Sequence, residues 1–159
     1  MRSRFLCSIC GVLFFCLEVS AQSLLVVDAE VRSTTFTAAQ LAKAQRMTVN
    51  VRDHDTSATF EGVPLATLLS SAGIQLGDKL RGPQLTEALL VEASDGYKVV
   101  FAVAELDPAF ATREIILADT RDGKPLDAKE GPFRIVAPGD KRPARWIRQV
   151  TVLRIVIVK

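Results

Sequence analysis

The chain ends in QVTVLRIVIVK, residues 149–159, where β-branched and aliphatic side chains fill almost every position. Branching at Cβ stiffens χ1 and suits a pleated strand better than a helix. The run therefore predicts a long, mostly buried final strand, and a strand of that kind demands a sheet around it. Arg154 lies inside the run, which weakens a membrane-spanning reading.

The rest of the chain supplies partners for that sheet. Ser23 to Val31 (SLLVVDAEV) reads as an opening strand, and Thr37 to Ala44 as a short helix capped by Thr35 or Thr37. Met47 to Arg52 alternates apolar and polar residues, the period-2 mark of a half-buried strand. Asp53 to Ser57 reads as a polar loop, and Thr59-Phe60-Glu61-Gly62 as the lead into a second helix. That helix has Pro64 near its first turn, Leu65, Leu68 and Leu69 on one face, and Gly73 as its stop. After a loop over Gln75 to Pro83, the strands Ala88 to Ala93 and Lys98 to Ala102 flank Ser94-Asp95-Gly96-Tyr97, a strong hairpin signal. Ala104 to Phe110 is a short helical or turn segment, Glu114 to Ala118 a strand, and Arg121 to Pro125 a turn. The pattern predicts a single compact α+β domain with a mixed β-sheet and short helices.

The amino-terminal end has a different character. Arg2 and Arg4 precede an almost wholly apolar run from Phe5 to Leu17, and Val19-Ser20-Ala21 offers small residues for cleavage. Residues 1–21 thus read as a secretory signal peptide, with a retained membrane anchor as the alternative, and residues 22–159 as the folded domain. Export to the periplasm or medium follows, with no membrane span after cleavage. All three cysteines (Cys7, Cys10, Cys16) fall in the segment removed, so the remainder has no thiolate or disulfide. A net charge of +2 argues against a general binder of nucleic acid or membrane surface.

Among residues able to do chemistry, Asp53-His54-Asp55 holds the only histidine, a general base or metal ligand if not a solvated loop residue. Asp119, Asp122 and Asp127 surround a glycine turn, but their spacing does not match a calcium loop, and turn chemistry accounts for them. Tyr97 reads as a cross-strand packing residue. The stretch Gly131 to Gln149 (GPFRIVAPGDKRPARWIRQ) has more to offer. There a Pro138-Gly139-Asp140 turn follows apolar Ile135, Val136 and Ala137, and Lys141, Arg142, Arg145 and Arg148 crowd around Trp146, the only tryptophan. This is either a solvated strand end or an anion site, for which glycine turns and guanidinium forks are suited. Arg134 lies inside the apolar strand, where a charge needs an internal carboxylate such as Glu130 or Asp119, or a bound anion.

Five segments in order, FEGVPLATLLSSAG, EASDGYKVVFAVAEL, ILADTRDGKPL, GPFRIVAPGD and ARWIRQVTVLRI, resemble the oxidoreductase molybdopterin-binding domain, the fold of sulfite oxidase. The likeness spans about Thr37 to Ile157. It implies a sulfite-oxidase-like molybdopterin-binding fold in shortened form. It also implies that Gly131, Arg134, Arg145 (in a lysine position) and Trp146 correspond to residues that hold the pterin phosphate and cofactor. Enzymes of this family ligate molybdenum through a cysteine in the segment after the first sheet strand, and the matching residues 52–60 contain none. A histidine ahead of the G-x-P-x-R glycine is replaced by Glu130.

The resulting expectation is an exported, non-catalytic member of the family, without the molybdenum cofactor, that binds a small anionic ligand or a protein partner. A molybdenum-cofactor-dependent periplasmic oxidoreductase is the alternative. For that enzyme the resemblance implies a haem-bearing membrane redox protein as partner.

Overall fold

The computed structural model describes residues 22–53 and 56–158. The signal-peptide reading, the three cysteines and His54 lie outside the described residues.

Strand β1 (Ser23–Val27) stops earlier than its sequence predicts because Asp28 turns the chain. The Asp28 carboxylate accepts the backbone N–H groups of Glu30 (2.9 Å) and Arg32 (2.8 Å), and Val31 takes the left-handed φ of 66°. The chain returns as β2 (Ser33–Thr37), antiparallel to β1. Thr37 then caps helix α1 (Ala38–Lys43) in a capping box, its hydroxyl accepting the Gln40 N–H while the Gln40 side chain accepts the Thr37 N–H at 2.8 Å.

Strand β3 (Met47–Asp53) pairs with β4 (Thr56–Pro64) in a long hairpin. Thr56 and Ser57 of the expected polar loop, and the expected helix lead-in, are thus strand. Ala58 and Phe60 are buried while Thr59 and Glu61, which follow them, are half-buried, so a period-2 pattern is present but short. Helix α2 (Leu65–Ser71) starts immediately after Pro64, buries Leu65, Leu68 and Leu69 as expected, and ends near Gly73 at φ 87°. The loop that follows contains two 3-10 turns, Gly77–Lys79 and Gly82–Thr86. Strands β5 (Glu87–Ala93) and β6 (Lys98–Ala102) form the hairpin around Asp95-Gly96, and α3 (Val103–Leu106) follows. Strand β7 (Ile116–Arg121) begins and ends later than expected. It turns through Asp122 and Gly123, at φ 50° and 75°, into the two-residue β8 (Lys124–Pro125). Strand β9 (Arg134–Val136) follows the cis Gly131–Pro132 bond, and after a 3-10 turn at Pro143–Arg145 comes β10 (Val150–Ile157).

The strands divide between two five-stranded sheets. The first has the order β2-β1-β10-β5-β6 and is mixed, since β10 runs parallel to β1 and antiparallel to β5. The second is β3-β4-β7, with β8 and β9 both pairing with β7, one toward each end. Strand β10 therefore has the two neighbours its composition requires, but only one face is fully buried, through Leu153 and Ile155. Its other face presents half-buried Val152, Arg154 and Val156. Side chains from both sheets, including Leu89, Phe101 and Leu153 from the first and Phe60, Leu117 and Ile135 from the second, belong to one core cluster. No helix among the described residues is long and apolar enough to cross a membrane.

Two features fix how the second sheet is assembled. Gly62 sits at a bulge between β4 and β7, where a Cβ would drive into the Leu117 carbonyl and the Ala118 backbone. Arg46, just ahead of β3, grips Asp119 on β7 with both terminal nitrogens, at 2.9 and 2.6 Å. Burial pushes the Asp119 carboxyl up, but the hydrogen bonds from Arg46 and Thr120 and the Arg46 charge outweigh this and hold it below the usual aspartate value.

Replacing Gly62 by alanine is expected to destabilise the fold by on the order of 3 kcal/mol, read from the denaturant midpoint, because backbone and not a pliant side chain must yield. The Asp119 carboxyl, lowered in the folded state, stabilises fully above its unfolded value, and this stabilisation is lost as pH falls through the lowered folded value. The stability difference between wild type and Asp119→Asn should accordingly be largest near neutrality and shrink below pH ~4. A difference independent of pH would show that the ion pair contributes nothing.

Candidate functional site

Strand β9 is three residues long and wholly buried, and its first residue is Arg134. The β7–β9 register sets Arg134 opposite Ala118, whose small side chain leaves room for a guanidinium. With 4% of its side chain exposed, Arg134 must be compensated internally. Its Nη1 donates to Glu130 Oε1 at 2.9 Å, and its guanidinium lies 4.8 Å from the Phe60 ring centre and 5.9 Å from that of Trp146. Of the two carboxylates considered from sequence, Glu130 is the observed partner. Asp119 is held by Arg46.

The same Glu130 oxygen accepts a second hydrogen bond, from Arg121 Nη1 at 2.9 Å, and Arg121 lies 5.3 Å from the centre of the Phe60 ring. One carboxylate oxygen is therefore shared by two guanidinium groups, one nearly buried and the other 30% exposed. The sequence pattern alone places Arg121 only in a turn. Its position follows from pairing with Phe60 across the β4–β7 ladder, a register no local pattern reveals.

These groups form one wall of an open cleft of about 920 Å³. Among its described lining residues four are cationic (Arg121, Lys129, Arg134, Arg148) and two acidic (Asp95, Glu130). Trp146, donating its indole N–H to the Ala137 carbonyl at 2.9 Å, supplies an apolar surface, as does Tyr97. Tyr97 is exposed, and its hydroxyl donates to the Ala144 carbonyl at 3.1 Å. It thus spans from the β5–β6 hairpin to the 3-10 turn and is not the cross-strand packing residue its position had implied. Thr56, at the start of β4, also lines the cleft, so the β3–β4 hairpin reaches its rim.

The four residues singled out from sequence occupy different surroundings. Arg134 and Trp146 line the cleft. Gly131 packs tightly against Leu126 and Asp127, to whose carbonyl its N–H donates at 2.7 Å, and Arg145 is engaged elsewhere. Arg145 donates to both oxygens of Asp140 (2.9 and 2.7 Å) and to Glu105 (3.0 Å), with its guanidinium 4.4 Å from the Phe101 ring centre. The Asp140 hydrogen bonds, against the opposing effect of burial and aided by Glu105, raise its proton affinity above that of a free arginine. Gly139 of the Pro138-Gly139-Asp140 turn is exposed, but the Arg113 side chain fills the place a Cβ would take. Lys141 and Arg142 are exposed and do not line this cleft. Among the aspartates read as turn residues, Asp127 caps the Lys129 and Glu130 N–H groups (2.9 and 3.0 Å) and Asp122 accepts the Thr59 N–H, whereas Asp119 serves the Arg46 ion pair.

Among solved structures, the sulfane dehydrogenase SoxCD from Paracoccus pantotrophus is similar to this chain, with a TM-score of 0.65 at 19% identity over 84% of it. The chain spans 38% of that protein's length, and at this identity the likeness speaks for the fold alone. No curated protein matches the chain. The sequence profile of the family described as the oxidoreductase molybdopterin binding domain matches residues 17–156. Two sheets with short helices, a buried arginine on β9 and a profile match over most of the sequence lead to one conclusion: the chain belongs to the oxidoreductase molybdopterin-binding domain family.

Proposed function

We propose that this chain is an exported, non-catalytic member of its family that takes a small anionic ligand in the cleft beside Arg134. The observation that carries the proposal is the excess of cationic over acidic groups among that cleft's described lining residues, with Arg134 nearly buried among them. A guanidinium at the edge of low-dielectric surroundings acts on an anion more strongly than one in open water. The concavity and the Trp146 and Tyr97 surfaces favour a small molecule over the flat face of a protein partner.

The metal-bearing cofactor of the family does not fit the donors present. No cysteine occurs among the described residues, and among them no three His, Cys, Asp or Glu side chains lie close enough to hold a metal ion. Thr56, from the segment in which the family resemblance places the metal-ligating thiolate, lines the cleft, yet residues 52–60 contain no sulfur at all. The Glu130 carboxylate adds negative charge where a pterin phosphate would need the opposite.

Two measurements test this reading. Protein purified from the periplasm of a molybdenum-replete host should contain essentially no molybdenum or pterin fluorescence, and stoichiometric metal would establish the oxidoreductase alternative. Sulfate titrations followed by NMR should show Lys129→Ala and Arg148→Ala each weakening binding by roughly threefold to tenfold, since single exposed charges act through partly screened fields. Arg134→Ala should abolish binding or destabilise β9, and Arg142→Ala should change neither property. Equal effects of Arg148→Ala and Arg142→Ala would reduce the cleft to ordinary charged surface.

A further inference from the structure

The first sheet has two faces, and the core uses one of them. Leu89, Phe101 and Leu153 belong to the core cluster, together with Val103 and Leu106 of α3. Strand alternation puts Leu25, Leu90, Val100, Val152 and Val156 on the opposite face, and none of the five belongs to that cluster. Val100 is 51% exposed and the other four are half-buried, so this second apolar surface is left partly open to solvent. Arg154 lies in its middle, set by the register between Val27 on β1 and Leu90 on β5. Its Nε donates to Glu92 Oε1 at a long 3.4 Å, and its two terminal nitrogens have no hydrogen-bond partner among the described residues. Glu92 takes the Lys98 ammonium on its other oxygen at 2.8 Å. A guanidinium fork left open in the centre of an apolar surface suits a carboxylate presented by another such surface. We propose that this face joins two copies of the chain about a two-fold axis between β10 and β5, with Arg154 of each copy donating to Glu92 of the other.

A second copy is the occupant that the charges select. The face carries both the cation and the carboxylate it needs, on neighbouring strands, and a two-fold axis exchanges them into two identical pairs. Glu92 can accept again after its bonds to Lys98 and Arg154, because an ionised carboxylate offers about four acceptor sites. Lys98 lies on the edge strand β6 and is half exposed, so it stays at the wet rim of the contact. A covering surface without a carboxylate would strip water from Arg154 and give nothing back. The aliphatic side chains around the two pairs would interdigitate as between stacked sheets, about 10 Å apart. Five strands of about five residues span roughly 20 Å by 17 Å. A patch of that size is at the small end of specific interfaces, so a weak dimer with a dissociation constant in the micromolar range is expected. None of these residues lines the cleft beside Arg134, so the contact leaves that cleft open and does not depend on what it binds.

Sedimentation velocity of the purified protein, over about a hundredfold range of concentration through the micromolar region, should show a reversible monomer–dimer equilibrium. Arg154→Glu and Glu92→Arg should each weaken it by at least about a hundredfold, because each sets like charges together at two symmetric places. An equimolar mixture of the two variants should recover the dimer, since the two carboxylates of one then face the two guanidinium groups of the other. A wild type that stays monomeric throughout would overturn the proposal and leave the face to an unlike protein. A dimer that either variant leaves intact, or a mixture that remains monomeric, would overturn it as well. Should circular dichroism show that either variant does not fold, methyl NMR of the wild type gives the answer. The Leu90, Val100 and Val152 resonances should shift as concentration rises while those of Val49, on β3 of the other sheet, stay still. Leu90, Val100 and Val152 resonances that do not move would refute the contact.

Discussion

A guanidinium removed almost entirely from water is the constraint around which the second sheet and its surroundings are arranged. Moving an isolated charge into a protein interior costs several kcal/mol unless partners replace its hydration. Partners of Arg134 among the described residues come from separate parts of the chain: Glu130 from the segment ahead of β9, Phe60 from β4 and Trp146 from just after the 3-10 turn. Each needs the β4–β7–β9 register to be correct, because a slip of one residue would turn the side chains of a strand to the opposite face. The same pairing brings Arg121 to Glu130, so the charge arrangement of the cleft and the register of the sheet are specified together.

How much of this was legible in the sequence depended on whether the cause was local. The Asp95-Gly96 hairpin, the capped α1, the apolar face of α2 and the β-branched tail are each written in a few neighbouring residues, and each formed where expected. So did the demand of Arg134 for a carboxylate, since a cation inside an apolar strand is anomalous whatever the fold. Strand β4 was misread because Glu61-Gly62-Val63-Pro64 has the composition of a helix entrance. Gly62 is there instead for close approach of the Leu117 and Ala118 backbone, which only the folded sheet reveals. Arg121 and Arg145 are instructive as a pair. Local charge density pointed to Arg145 and passed over Arg121, whereas long-range pairing gave Arg145 to Glu105 and Asp140 and set Arg121 on the cleft wall.

On the reading proposed above, family membership and chemistry part company for a physical reason. The scaffold is specified by apolar residues distributed over two sheets and by a handful of backbone approaches, none of which involves a metal. A thiolate ligand is a single atom, and a segment that lacks it, as residues 52–60 do, leaves such a core untouched while offering no soft donor of the kind a molybdenum centre takes. The cationic wall is a separate property of the same scaffold, set by β9, the end of β7 and the residues around Trp146. On the proposed reading, the fold keeps a place for an anion without the means to do redox chemistry.

The cluster of Arg145, Asp140 and Glu105 has a consequence for any molecule entering beside Trp146. It fastens the crossing between β9 and β10 to helix α3, using three side chains that would otherwise wander in solvent. The indole adjoining this clamp is accordingly already immobile before a guest arrives. On the proposed reading, recognition on that side of the cleft is docking onto a rigid anvil, with the conformational freedom of the wall surrendered during folding and not at the moment of capture.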